Sequence, residues 1–337
     1  MTGDLRIGIH SDLREHGDQA AVYREQLDLF ERAERSGFDS AWVRSYHFRR
    51  KAVGFSFPGG LPSPFVFLAA LASRTSRIRI GTAVVPLPLE NLVRVAEDAA
   101  VLDAISDGRV ELGVSNGGQA PIASALGVAL VTDREAKKLD YLRRLDELGR
   151  VLDGAVIGAT DQELNPPTRG LSARIWESAL TAQTGAEAAL RGHGVLIGTT
   201  QTVPAEVTAA AYHAALPPGV RPRVGIVVHV HLARDRETAL AQLAPDIAAI
   251  YEWGGDWLPR ADTLVQQAAG INIHYGTADQ ITESIAASAP FPLATELQFS
   301  VAHGTTDPAQ RVDALDAVAE HIAPALGWCP STLERIR

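Results

Sequence analysis

The sequence predicts a single (β/α)8 TIM barrel, with an insertion between strands seven and eight, in one domain covering residues 1–337. Three observations carry this expectation. Short apolar runs alternate with longer segments of helical period, the pattern of a parallel sheet covered by helices. Eight strand-like runs occur, each trailed by a helical segment, and no composition break, repeat or low-complexity tract divides them. Doubly wound sheets alternate in the same way, but eight unbroken units favour a closed barrel.

The first strand reads as Leu5–His10. The helix after it carries Tyr23, Leu27, Phe30 and Ala33 on one stripe and stops at Gly37, a residue suited to the left-handed turn that ends helices. Ser40–Val43 is the second strand, followed by a proline-containing loop and a helix from about Phe65 to Arg74. Ile78–Val85 is the third strand, and Asn91 can cap a helix over Leu92–Ile105. Val110–Val114 is the fourth. Thr132 and Glu135 have the spacing of a capping box for a helix reaching about Leu152, and Gly/Pro-rich residues 154–173 read as loop. Arg174–Ser178 is the fifth strand, with a second box at Thr184 and Glu187. Val195–Gly198 is the sixth, followed by a helix with Pro204 near its start. Val224–His231 is the seventh. Two or three helices then precede the eighth, Thr295–Val301, and Asp307-Pro308 opens a final helix.

Composition narrows the function. A formal net charge of -9 argues against nucleic acid, which is bound through a basic face. Cys329 is the only cysteine, so neither an internal disulfide nor a thiolate metal cluster can form in one chain. No apolar run approaches the roughly 18 residues of a membrane span, and the first residues lack the basic start and apolar core of a signal peptide. A cytoplasmic protein is expected.

In a barrel of this kind chemistry gathers where strands end. Those positions hold His10, Tyr46 and His47, Thr82-Ala83-Val84, Ser115-Asn116-Gly117-Gly118, Glu177-Ser178-Ala179-Leu180-Thr181, Thr199-Thr200-Gln201, His229 with His231, and His303. Ser178 and Thr181 precede a helix whose unpaired N–H groups would bind a phosphate. The same hydroxyls could instead serve the turn and the cap. Ser115–Gly118 could form a backbone nest or a tight turn, and it lacks the order of a dinucleotide or P-loop motif. His10, His47, His229, His231 and His303 could hold zinc or manganese, but no carboxylate partner is evident, so a pocket-lining role is preferred. The absence of a Gly-x-Ser-x-Gly elbow speaks against a nucleophilic hydrolase.

Several segments carry a resemblance. Gly37–Trp42 with Tyr46-His47-Phe48, Arg77–Pro88, Arg94–Asp103 with Asp107–Gly113, Glu177–Thr181 and Tyr275–Asp279 resemble the bacterial luciferase-like flavin-dependent monooxygenases from Leu5 to about Gly327. The resemblance implies a barrel binding flavin mononucleotide (FMN), or a deazaflavin in some branches, and reduced-flavin chemistry with oxygen. It places Glu177, Ser178 and Thr181 on the flavin phosphate and a cis Ala83-Val84 peptide beside the ring. Ser115 and Asn116 would complete the cofactor contacts.

Two departures stand out. The family's Glu-His-His-Phe is Ser45-Tyr46-His47-Phe48 here, so Tyr46 occupies the catalytic histidine's position unless His47 takes the role. The family's phosphate-pairing arginine is Asn116, which keeps hydrogen bonding and loses charge. Asn91-Leu92 also replaces a His-Pro pair.

The leading expectation is an FMN-dependent monooxygenase acting on a small organic substrate with oxygen. His47 or Tyr46, with His10 and His229, would contact substrate or oxygen. The chain has no dinucleotide fingerprint, in keeping with reduced flavin arriving from a separate reductase. The alternatives are a deazaflavin-dependent oxidoreductase and a flavin-binding barrel without catalysis. A homodimer is a further implication of the resemblance.

Overall fold

The computed structural model describes residues 5–13, 18–48, 60–199, 203–304 and 307–330. Its strands are β1 (Arg6–Ser11), β2 (Ser40–Val43), β3 (Arg79–Thr82), β4 (Val85–Pro86), β5 (Val110–Ser115), β6 (Ile175–Ser178), β7 (Gly194–Ile197), β8 (Val224–Leu232), β9 (Ile273–Gly276) and β10 (Glu296–Ser300). The helices are α1 (Gln19–Arg35), α2 (Pro64–Arg74), α3 (Leu92–Ile105), α4 (Ala120–Ala125), α5 (Arg134–Leu152), α6 (Ala182–Leu190), α7 (Ala205–Ala215), α8 (Arg236–Gly254), α9 (Leu264–Gly270), α10 (Ala278–Ala286) and α11 (Pro308–Ala317).

All strand pairings are parallel, in the order β10-β1-β2-β3-β5-β6-β7-β8, and β8 pairs back to β10. The sheet is thus a closed barrel with helices between its strands. Ile7, Ile9, Ile80, Leu112, Ile226 and Leu297 alternate outward and join helix residues such as Phe30, Leu68, Ala99 and Leu148 in the main core.

The barrel interior is built around two tryptophans. Trp42 and Trp176 meet edge to face, with ring centroids 5.4 Å apart. Each stands opposite a glycine on the next strand, Gly81 for Trp42 and Gly194 for Trp176. A Cβ at Gly81 would lie 2.2 Å from the Trp42 ring, and one at Gly194 would lie 2.5 Å from Trp176. The glycines are therefore the space the indoles occupy, the small-against-large pairing of narrow barrels. Buried indole N–H groups need acceptors. Trp42 donates to Glu296 at 2.6 Å and Trp176 to Glu111 at 2.7 Å. Arg79 pairs with Glu111, and Arg6 approaches Glu296 at 3.4 Å.

Three local readings change. The expected continuous strand 78–85 is divided: β3 and β4 both pair with β5, and the Ala83–Val84 peptide between them is cis. Its backbone diverts around Gly113, where the Thr82 hydroxyl donates to the Gly113 carbonyl and accepts from its N–H. Asp133, not Thr132, caps α5, because its carboxylate reaches the Ala136 N–H at 2.9 Å. The second capping box is Thr181 with Thr184, one turn earlier than expected, since Glu187 is drawn to Lys138 at 2.6 Å.

Between β8 and β10 the chain forms α8, α9, β9 and α10. β9, four residues long and unread from the sequence, pairs with His229–Leu232 at the far end of β8. Leu243, Ile247, Ile250, Leu258, Ala268, Ile271 and Ile273 form a smaller core of their own.

Buried His274 on β9 carries a pH signature. Asn272 donates its amide to the Val227 carbonyl, which leaves its side-chain oxygen to accept from His274 Nε2 at 3.1 Å. His274 Nδ1 then accepts from the Ser284 hydroxyl at 2.8 Å, an arrangement suited to neutral imidazole. Burial pushes the His274 pKa from 6.5 down to about 4. Between those values the unfolded chain binds the extra proton, so stability contributed by neutral His274 is complete above pH 6.5 and declines as pH falls toward 4. The expected loss is roughly 3 kcal/mol. Urea unfolding from pH 7 to 4 should show a flatter acid limb in His274→Gln, and an unchanged limb would refute the assignment.

Candidate functional site

The C-terminal ends of β1, β2 and β8 bring together a buried polar cluster. His10, the interior-facing residue near the end of β1, lies with Nε2 3.4 Å from Asp12. Asp12 also faces Arg44 at 3.6 Å, and the charges of Arg44 and His229 act on it. Burial opposes its ionisation. The His10 hydrogen bond and these charges outweigh burial and hold the Asp12 carboxyl well below the usual carboxylate range. Nδ1 of His10 is buried and has no hydrogen-bond partner among the described residues.

His229 on β8 joins this cluster. Its Nε2 lies 3.1 Å from the Thr199 hydroxyl, and its ring meets His303 edge to face at 4.1 Å. His303 faces Asp246 at 3.8 Å. His231, two residues along the same face, is fully engaged: Nδ1 lies 2.8 Å from the His303 carbonyl and Nε2 2.7 Å from Gln242. The histidines thus form a hydrogen-bonded wall. Among the described residues, no group of three His, Cys, Asp or Glu is placed to hold a metal.

His47 lies apart, with Nε2 3.5 Å from Glu90, and its ring is 6.0 Å from that of Phe48. Tyr46 is half-buried, and its backbone N–H donates to the Leu61 carbonyl.

On the opposite side of the mouth, Ala83 and Val84 pack on the Trp42–Trp176 pair. Val85, Val114 and Glu177 are register neighbours across β4, β5 and β6. The cis step and Ser178 therefore stand about two strand spacings apart, roughly 10 Å. The Ser115 hydroxyl accepts from the Gly117 N–H at 3.3 Å, tightening the turn after β5. The side-chain oxygen of Asn116 is buried and has no hydrogen-bond partner among the described residues.

Glu177 accepts from Arg191 through both oxygens at 2.9 Å, contacts His193 at 2.9 Å and accepts from Tyr141 at 3.2 Å. Burial works against its charge, and the His193 and Arg191 bonds overcome that and lower its pKa. Thr181 caps α6, accepting from the Thr184 N–H at 3.2 Å. Ser178 is half-buried, and its hydroxyl makes no hydrogen bond within the described residues. Thr200 and Gln201 lie outside the described residues.

Sequence reasoning did not reach Asp12, Arg44, Gln242 or Asp246. Asp12 directly follows a strand end and was open to the same argument as His10. Gln242 and Asp246 sit four apart on α8, a spacing that any helix face carries.

Residues 6–320 match the luciferase-like monooxygenase family, and the chain belongs to it. Its relatives include the oxygenase component of the flavin-dependent trigonelline monooxygenase of Acinetobacter baylyi, 33% identical over 29% of this chain and 26% of that protein. The chain spans about half or less of the length of the curated relatives it matches first. Among solved structures, the oxygenating constituent of 3,6-diketocamphane monooxygenase from the CAM plasmid of Pseudomonas putida, in complex with FMN, has a TM-score of 0.73 and 17% identity, covering 96% of this chain and 99% of that one. An F420-dependent secondary alcohol dehydrogenase has a TM-score of 0.73 and 14% identity, with the same coverage of both chains. At these identities the structural likeness speaks for the fold alone.

Proposed function

We propose that the protein is an FMN-dependent monooxygenase, the oxygenase of a two-component system whose reduced flavin comes from a separate reductase. Its substrate is a small organic molecule. The observation that carries this reading is the pairing, across one mouth, of an apolar ledge at Ala83–Val84 with an uncommitted Ser178 hydroxyl at the start of α6. The separation suits a flat ring at one end of a short linker and a phosphate at the other.

The residues fit the cofactor on these grounds. The α6 N-terminus favours an anion, and the committed Glu177 carboxylate leaves that role to Ser178 and the first-turn N–H groups. The buried side-chain oxygen of Asn116, next in sequence to Ser115, has no partner among the described residues and suits a donor on the ligand. Bound reduced flavin supplies the electrons that activate oxygen. The His10–Asp12 pair and the His229–Thr199 pair hold protons on the facing wall, where they can orient a substrate oxygen. Family membership and the oxygenase-component relative support the same reading.

The test is a titration with oxidised and reduced FMN and with a deazaflavin, followed by flavin absorbance and fluorescence. Saturable binding that prefers reduced FMN is expected. Preference for the deazaflavin would replace oxygen activation by hydride transfer, and no binding of either would mark a barrel that has lost its cofactor.

A further inference from the structure

A cavity lies outside the barrel wall. Its volume is about 540 Å³, within the range of small-molecule sites. It exists because β8 has two neighbours on one edge. β7 pairs with Val224–Ile226 and β9 with His229–Leu232, leaving a split between the ends of β7 and β9. Asn272, held at a φ of 53°, fills part of that gap by donating to the Val227 carbonyl at 2.7 Å. The remainder is the cavity, bounded by α7, α9 and α10.

The side of β8 it touches separates it from the histidine cluster. Ile226, which lines it, belongs to the outward core, whereas His229 is in the interior set. Thr199 borders both, bonding His229 from the cavity wall.

We propose that this cavity binds an uncharged, largely apolar organic molecule with one hydrogen-bonding group, at a site separate from the barrel mouth. Ile226, Val203 and Val265 supply apolar walls, and Ser284 and Ser288 supply hydroxyls. Glu206 and Arg236 stand on its rim with opposite charges, so the lining carries no net charge to attract an ion. His274 is engaged on both nitrogens in a form suited to neutrality, which removes the remaining cation. An ion entering this site would lose hydration without a counter-charge.

The probe is N-phenyl-1-naphthylamine, uncharged with one N–H, compared with its sulfonated relative 8-anilinonaphthalene-1-sulfonate. The full chain should bind one equivalent of the uncharged probe with enhanced fluorescence, at least tenfold more tightly than the sulfonate. Ala269→Trp on α9 and Ser288→Phe beyond α10 narrow the cavity from different walls. Each should weaken the uncharged probe at least tenfold, while circular dichroism and the urea unfolding midpoint stay unchanged. Equal binding in both variants, tighter binding of the sulfonate, or no binding of the uncharged probe would overturn the proposal. None of these outcomes depends on the flavin reading.

Discussion

Gly113→Ala is expected to lower stability by about 3 kcal/mol or more, or to prevent folding, and any folded fraction should lose FMN binding. A Cβ at Gly113 would lie 1.9 Å from the Thr82 carbonyl oxygen and 2.9 Å from Leu196. The first neighbour is backbone, so a rotamer change cannot relieve the clash. Relief requires moving Thr82, and with it the Ala83–Val84 step and the paired hydrogen bonds between Thr82 and Gly113. Gly149→Ala in α5 is the control, since a Cβ there meets nothing within 4 Å. That change should stabilise by roughly 0.5–1 kcal/mol through helix propensity. Urea unfolding of both variants checks the contrast. Equal stabilities would mean that β3 and β5 slide apart freely at the mouth.

Ser178→Ala combined with Thr181→Ala should weaken FMN roughly 100-fold while changing riboflavin affinity little. Hydrogen bonds to a charged group are worth about 1.5–3 kcal/mol each, and only FMN carries the phosphate. Thr181 has a second role as the α6 cap, whose loss costs about 1 kcal/mol. Ser178→Ala alone therefore isolates the ligand effect, because that hydroxyl makes no internal hydrogen bond among the described residues. Isothermal titration with both ligands provides the comparison. Parallel losses for FMN and riboflavin would remove the phosphate from this helix start.

The parts of the fold legible in the sequence are those written in neighbouring residues. Asn91 caps α3 at its own first turn, and the helix runs over Leu92–Ile105 as its spacing predicts. Ser40–Val43 likewise forms a strand over the expected residues. Legibility fails where the deciding partner is distant. The resemblance puts Glu177 on the flavin phosphate, and nothing in the neighbouring sequence shows that its carboxylate also meets Arg191, His193 and Tyr141, 14, 16 and 36 residues away. Thr184 resembled a cap, but Thr181 offers a reciprocal bond one turn earlier, and the choice between two threonines rests on where β6 ends. β9 was missed because Ile273–Gly276 is four residues long and gains its ladder only from β8. The histidine wall was partly legible: strand ends named its members, while Asp246 and Gln242 reach it through the packing of α8.

β8 divides its edge between two clients. Closure of the barrel engages Val224–His229, through β7 on one side and β10 on the other, and the pairing with β9 begins at His229. Residues 233–295 thus leave and rejoin the ring without contributing a strand to it. Such a segment is an excursion from the ring. Its first part, α8 to β9, keeps a small core of its own, whereas Ile281 and Ile285 of α10 pack into the main core and tie the excursion back to the ring. Trimming within α8 and α9 would therefore leave the parallel pairing of β8 with β10 in place, whereas losing α10 would strip cover from the barrel itself.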